Sequence, residues 1–317
     1  MPPRQREAAA RHTHTRNDAA AASTANPAGQ PRSATAASTA GQPREVREAR
    51  EARDRRYHTV RVRAGRQPGF LLLNGCGLAS SGWDEVAEAL AGWKIIAVDR
   101  PGRRGTEAAG LFSLAGEVRF LEGLLDAEGP AVVIAHSMAA FQAEALARTR
   151  PDLVAGIVLV DPSVAPPRAR DLRSAAALSR AADRLLRRRP LYRLASAAWR
   201  AGLKSQTTIP EAIDGAGWRD TWQSRPSLAA AAAESLSFSG QAAELAWLRR
   251  TRAAPTVPAV VLQAPPFMGV KALQALRGAF AAASVHRVPG SRHLMMLDAP
   301  RLIAHHARLL ATRPQKS

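Results

Sequence analysis

The chain has 317 residues, of which 45 are Lys or Arg and 26 are Asp or Glu, giving a formal charge of +19. With 22 Gly, 22 Pro and one cysteine, Cys76, it is neither collagen-like nor Pro-rich, and no intrachain disulfide can form. No run of about 18 apolar residues is present to span a bilayer, so the expectation is a soluble cytoplasmic protein with no membrane span, built as one large domain or two small ones.

Residues 1–56 contain no Leu, Ile, Phe or Trp and carry 11 basic and 6 acidic side chains. Such a segment cannot bury enough apolar surface to offset its ordering entropy, so a disordered basic tail is expected. It also lacks the apolar stretch of a secretory signal.

From residue 57 to 317, short apolar runs alternate with helical patterns, as expected for an α/β domain whose mostly parallel sheet is flanked by helices. The runs predict strands at His58–Arg63, Phe70–Asn74, Lys94–Asp99, Ala131–Ala135, Ala155–Val160, Ala259–Gln263 and Ser284–Val288. Helices are predicted over Ser81–Ala91, Leu114–Ala127, Met138–Arg148, Ser227–Arg250, Lys271–Ala283 and Pro300–Thr312. Ser81 stands at a helix start with an acidic first turn, and Asp298 with Pro300 occupies N-cap and first-turn positions.

The alternation breaks between about 166 and 224, where the sequence is arginine-rich and helical in pattern, so an inserted helical cap is expected there. Trp199, Trp218, Trp222 and Trp247 lie in or just after it. They either line an apolar pocket or pin short helices onto the sheet domain.

Charge is unevenly spread. Residues 57–165 carry 10 basic and 12 acidic side chains, 166–250 carry 15 and 7, and 251–317 carry 9 and 1. The densest cluster, Arg187-Arg188-Arg189, reads either as a solvated helix face or as part of a surface for an acidic polymer or membrane. No aromatic-interleaved basic motif accompanies the excess, so no specific nucleic-acid partner is expected. The one carboxylate beyond Glu244 is Asp298.

The apolar run Ala131–Ala135 stops at His136-Ser137 and continues at once as a helix. A strand-to-helix turn this sharp tolerates only small residues two before and two after the serine, and those are Ala135 and Ala139. It lifts the Ser137 hydroxyl clear of the sheet edge at a helix N-terminus, where N–H groups favour a developing oxyanion. The plainer alternative is an ordinary Ser N-cap.

Leu71-Leu72-Leu73-Asn74-Gly75-Cys76-Gly77, Val98-Asp99-Arg100-Pro101-Gly102, the Ser137 turn, Val158-Leu159-Val160-Asp161-Pro162 and Val288-Pro289-Gly290-Ser291-Arg292-His293-Leu294 follow in that order. The series resembles the α/β-hydrolase fold family, serine hydrolase type, over about residues 57–317. The resemblance implies that Ser137 attacks an acyl carbon, that His293 moves its proton, and that the N–H groups of Cys76 and Met138 form the oxyanion hole. Asn74 departs from the histidine most common at its place, but its amide can still hydrogen-bond the loop.

Many members of the family carry the triad acid after the penultimate strand, where this chain reads Gln263-Ala264-Pro265-Pro266 without a carboxylate. Some carry it one strand earlier, and Asp161 occupies that place; its alternative role is a turn-forming Asp-Pro. Asp99 is expected to brace its own loop beside Arg100 and Arg103, His136 to serve packing, and Cys76 not to act as a nucleophile.

The expected function is cofactor-independent hydrolysis of a small or medium apolar ester or related acyl substrate, with no metal. The alternative is a hydrolase-like protein with lost or altered chemistry, of a ligand-binding, lyase or cofactor-free peroxidase type.

Overall fold

Val132-Val133-Ile134 and Ile157-Val158-Leu159 have no solvent exposure. Continuous β-branched and leucine runs of this kind form strands covered on both faces, because neither side of the pleat can meet water. The computed structural model describes residues 58–103, 106, 110–164 and 172–313. The predicted tail 1–56 and residues 166–171 of the predicted cap lie outside the described residues.

Seven strands form one sheet: β1 (Thr59–Arg63), β2 (Arg66–Leu73), β3 (Trp93–Asp99), β4 (Ala131–His136), β5 (Val154–Val160), β6 (Ala259–Gln263) and β7 (Ala283–Arg287). Their spatial order is β1-β3-β2-β4-β5-β6-β7, with β1 antiparallel to β3 and every other pair parallel. The carboxyl ends of β2, β4, β5, β6 and β7 therefore open on one edge, the edge where α/β sheets bind ligands.

The helices are α1 (Asp84–Ala89), α2 (Leu114–Glu128), α3 (Ala139–Thr149), α4 (Leu172–Leu186), α5 (Arg189–Ser205), α6 (Ala216–Gln223), α7 (Arg225–Thr251), α8 (Val270–Ala279), α9 (Met295–Asp298) and α10 (Pro300–Ala311). Apolar side chains of α2, α3, α7 and α8 bury one face of the sheet, and those of α1, α9 and α10 bury the other. Among the described residues, no helix is long and apolar enough to cross a membrane.

Several boundaries differ from the sequence reading. The predicted Ser81–Ala91 helix is a 3-10 turn, Ser80–Trp83, followed by the short α1, with Trp83 rather than Ser81 at the α1 N-cap. Asp298 closes α9, and the position ahead of Pro300 in α10 belongs to Ala299. The predicted Lys271–Ala283 helix ends at Ala279, since buried Phe280 is extended (φ −128°, ψ 142°) and leads into β7.

Between β5 and β6 the described segments are helical: α4, α5, a 3-10 turn at Pro210–Asp214, α6 and α7. Ser224 caps α7 by accepting from the Ser227 N–H, and a proline occupies the first turn. Near its start, Leu228 and Ala229 pack with Leu186 of α4, while Ala242 and Leu245 further along join the sheet core. One continuous helix thus links the inserted helices to the sheet domain.

Candidate active site

The turn after β4 holds Ser137 at φ 54°, in the left-handed region where a non-glycine residue costs about 1–3 kcal/mol. The surroundings impose this conformation. Ser137 N–H donates to Val160 O (3.0 Å), and Ser137 O accepts from Ser163 N–H (3.0 Å) and Ala140 N–H (3.1 Å). Ala135 and Ala139 are fully buried beside it, where a larger side chain has no room.

The adjoining strand end repeats the device. Asp161 follows β5 at φ 42°, its N–H donates to Leu262 O (2.8 Å), and its Oδ1 accepts from Ala264 N–H (3.1 Å). The other carboxylate oxygen, Oδ2, lies 2.6 Å from Nδ1 of His293, which is 132 residues further along the chain. A carboxylate at that distance holds the proton on Nδ1 and leaves Nε2 as the basic nitrogen.

Three contacts fix the loop carrying His293. His136 Nε2 lies 2.9 Å from His293 O, Arg292 N–H donates to Asp298 Oδ2 (2.7 Å), and Leu294 N–H donates to Gln206 O just past α5 (2.7 Å). His136 is 1% exposed, and burial together with neighbouring His293 holds its pKa well below the usual histidine value. The neutral ring donates to the His293 carbonyl without adding a cation beside the His293 ring, whose centroid is 4.5 Å away. Sequence reasoning gave His136 a packing role only; its hydrogen bond to the His293 loop was missed.

Among the described residues, Asp298 makes no hydrogen bond to the His293 ring. It accepts from Thr207 Oγ1 (2.6 Å), Thr208 N–H (2.9 Å), Thr208 Oγ1 (2.9 Å), Ser291 Oγ (3.3 Å) and the Arg292 N–H. Burial would raise its pKa, but these hydrogen bonds outweigh it and hold the group below the usual carboxylate range.

Among the described residues, the Ser137 hydroxyl hydrogen-bonds Ser163 Oγ (3.2 Å) and makes no hydrogen bond to His293. Hydrogen bonds of catalytic groups commonly tighten only with substrate bound.

The loop after β2 comes close to the Ser137 turn. A Cβ on Gly75 would lie 2.5 Å from His136 Nδ1 and 3.1 Å from Ser137 Cβ, so only glycine fits. Asn74 Nδ2 donates to Val98 O of β3 (2.9 Å), so it ties the strand end rather than the loop. Among the described residues, the N–H groups of Cys76 and Met138 have no protein acceptor. The Cys76 thiol lies 3.2 Å from Ser235 Oγ on α7, and burial followed by the nearby Glu234 charge pushes its pKa up to about 11. A thiol so far from ionisation is a poor nucleophile at neutral pH.

Buried charges brace this loop from behind. Arg100 donates to Asn74 O (2.9 Å), Gly75 O (3.3 Å), Gln142 Oε1 (3.0 Å), Glu117 Oε2 (3.0 Å) and Glu234 Oε2 (3.2 Å). Arg103 donates to Glu234 Oε1 (3.1 Å), Leu78 O (3.2 Å) and Ser227 O (2.9 Å). Glu234 Oε2 also accepts the N–H of Gly77 at 2.8 Å. Sequence reasoning missed Glu234, because nothing in its local pattern separates it from other polar residues of a long helix. Asp99, expected to brace its own loop beside Arg100 and Arg103, accepts from Ser80 N–H (2.5 Å) and Ser80 Oγ (2.6 Å).

Two of the tryptophans act as pins. Trp199 of α5 lies against Gly77, which takes φ 73°, and Trp218 of α6 lies over Gly82. Trp222 Nε1 donates to Ile213 O (3.0 Å), whereas Trp247 is exposed. Among the described residues, no group of three or more His, Cys, Asp or Glu side chains is arranged to hold a metal ion.

A stretch of 85 residues is 39% identical to the lipase LipV of Mycobacterium tuberculosis (strain ATCC 25618 / H37Rv), covering 26% of this chain and a third (33%) of that lipase. The fold matches an esterase from Thermogutta terrifontis, solved with malate bound, at a TM-score of 0.62 and 20% identity over 80% of this chain and 94% of that one. It matches a haloalkane dehalogenase loop variant from Bradyrhizobium elkanii at 0.56 and 18% identity, over 80% and 96% of the two chains. At these identities the structural likeness establishes the fold alone. The family model of the alpha/beta hydrolases matches residues 70–306, and the chain belongs to the alpha/beta hydrolase family.

Proposed function

We propose that the protein is a cofactor-independent serine hydrolase of small or medium apolar esters or related acyl compounds. The observation that carries this reading is the 2.6 Å contact of His293 Nδ1 with Asp161 Oδ2 at the sheet edge where Ser137 is held in a left-handed turn. Ser137 Oγ attacks the acyl carbon while its proton passes to His293 Nε2, and Asp161 stabilises the imidazolium. The N–H groups of Cys76 and Met138 receive the negative oxygen of the tetrahedral intermediate. The imidazolium then protonates the leaving alkoxide, and water, deprotonated by the same nitrogen, releases the acid from the acyl-enzyme.

An apolar acyl group suits the surroundings. Cys76, Val164, Phe238 and Met268 are partly buried and pack on the core cluster that contains Met138 and Phe141. A cytoplasmic location belongs to the same reading, with Cys76 as a free thiol.

A fluorophosphonate probe is expected to label the wild-type protein and to leave Ser137→Ala unlabelled; labelling that persists in the variant overturns the proposal. A second reading, a hydrolase-like protein with altered chemistry, draws on the Ser137–Ser163 hydrogen bond. It requires both absence of labelling in the wild type and no turnover across esters, lactones and amides.

A further inference from the structure

Residues 172–205, which form α4, α5 and the turn between them, carry nine basic side chains and one acid, Asp183. Eight of the chain's +19 net charges therefore sit on this helical pair. Asp183 is shared by Arg187 (3.1 Å) and Arg225 (2.7 Å), and Asp214 by Arg200 (2.6 Å) and Lys204 (2.7 Å). Among the described residues, Arg180, Arg184, Arg188, Arg189 and Arg193 have no ion-pair or hydrogen-bond partner.

The same helices expose leucines: Leu178 and Leu185 on α4 are 57% and 50% exposed, and Leu191 and Leu194 on α5 are 38% and 68% exposed. A single exposed leucine is ordinary. Here two helices hold four of the eight large apolar side chains exposed among the described residues. Leu178 and Leu185 are seven residues apart and share a side of α4, while Ala175 and Leu186 bury the inner side. Arg180, Arg184 and Arg187, together with Asp183, also line a cavity of about 380 Å³ that reaches Ala229 of α7.

We propose that the α4–α5 pair is a peripheral docking surface for an anionic lipid bilayer, with the leucines entering the boundary between headgroups and acyl chains and the unpaired arginines meeting lipid phosphates. Amphipathic helices with arginine on one side and leucine on the other bind such interfaces. Charge excludes the other candidate occupants. A second copy of this surface would bring two strongly positive faces together, and residues 1–56 are themselves net basic. A nucleic acid would meet the arginines but has no use for four exposed leucines. The proposal is independent of the serine mechanism.

The test is co-sedimentation of the full-length chain with phosphatidylcholine vesicles, with and without phosphatidylglycerol, at low and high salt. Two variants are compared with wild type: Leu178→Ser with Leu185→Ser and Leu194→Ser, and Arg184→Gln with Arg188→Gln and Arg189→Gln. All these side chains are exposed, so circular dichroism melts of both variants are expected to match wild type. Wild type is expected to partition onto the anionic vesicles at low salt, and each variant about tenfold or more weakly. No partitioning of wild type, or partitioning unchanged in both variants, overturns the proposal. Binding lost in the arginine variant but retained in the leucine variant marks a purely electrostatic polyanion surface and overturns the lipid assignment.

Discussion

Glu234 of α7 accepts the main-chain N–H of Gly77 at 2.8 Å, across 157 residues of sequence. Its two carboxylate oxygens also bind Arg100 and Arg103, and Arg100 in turn holds the carbonyls of Asn74 and Gly75. The loop that carries Gly75 and Cys76 beside the Ser137 turn is thus clamped on both sides by one buried charge network. Because α7 also packs on α4, that network joins the loop to the inserted helices.

Glu234→Gln leaves two buried guanidinium groups short of a carboxylate, a change that costs roughly 3–5 kcal/mol when a buried pair is broken. Ester turnover is expected to show kcat down about tenfold or more with KM within about threefold, since the loop would hold its donor less well against the transition state. Lower stability with unchanged kcat would reduce Glu234 to a structural support.

Two carboxylates flank the His293 loop, and their neutral variants are expected to part company. Asp161→Asn removes the partner of Nδ1, and kcat is expected to fall by about 10⁴-fold, the loss known for triads without their acid. Asp298→Asn loosens the bonds to Thr207, Thr208 and Arg292, and is expected to cost about 1–3 kcal/mol in denaturant unfolding with kcat within about tenfold. The reverse pattern would move the acid to Asp298.

His136 makes stability depend on pH in a defined direction. Its folded pKa lies well below 6.5, so below that pH the unfolded chain binds a proton that the folded chain refuses. Stability from this group is complete above pH 6.5 and is lost as pH falls toward the folded pKa, at up to about 1.4 kcal/mol per pH unit. Urea unfolding between about pH 5 and 7 is expected to show the slope in wild type and a shallower one in His136→Asn. His306, also depressed by burial and by its histidine neighbours, is present in both proteins and cancels in the comparison.

In the proposed mechanism Cys76 contributes its main-chain N–H and not its thiol. With its pKa pushed up to about 11, the thiol is protonated at neutral pH. Iodoacetamide at pH 7 is expected to leave activity intact, and Cys76→Ala is expected to keep kcat within about threefold because the N–H is unchanged. Rapid inactivation by the reagent would restore the thiol as a candidate nucleophile.

The sequence by itself determined the α/β class and where along the chain each of the seven strands falls, because continuous apolar runs such as Val132-Val133-Ile134 report burial on both faces of a strand. It was less able to place boundaries. Nothing local distinguishes the 3-10 turn at Ser80–Trp83 from the first turn of a helix, or marks where Phe280 turns extended.

Long-range pairing was decided only by the tertiary structure. Asp161 and Asp298 are both acids near a strand end or a helix start in the sequence, yet one carboxylate meets the His293 ring and the other serves Thr207, Thr208 and Arg292. The Glu234–Gly77 contact and the hydrogen bond from His136 to the His293 carbonyl likewise span more than a hundred residues. Periodicity reports which side of an element is buried, and it carries no information about which distant backbone group or charge will meet a side chain there. That depends on how the strand ends and the inserted helices converge once the sheet has formed.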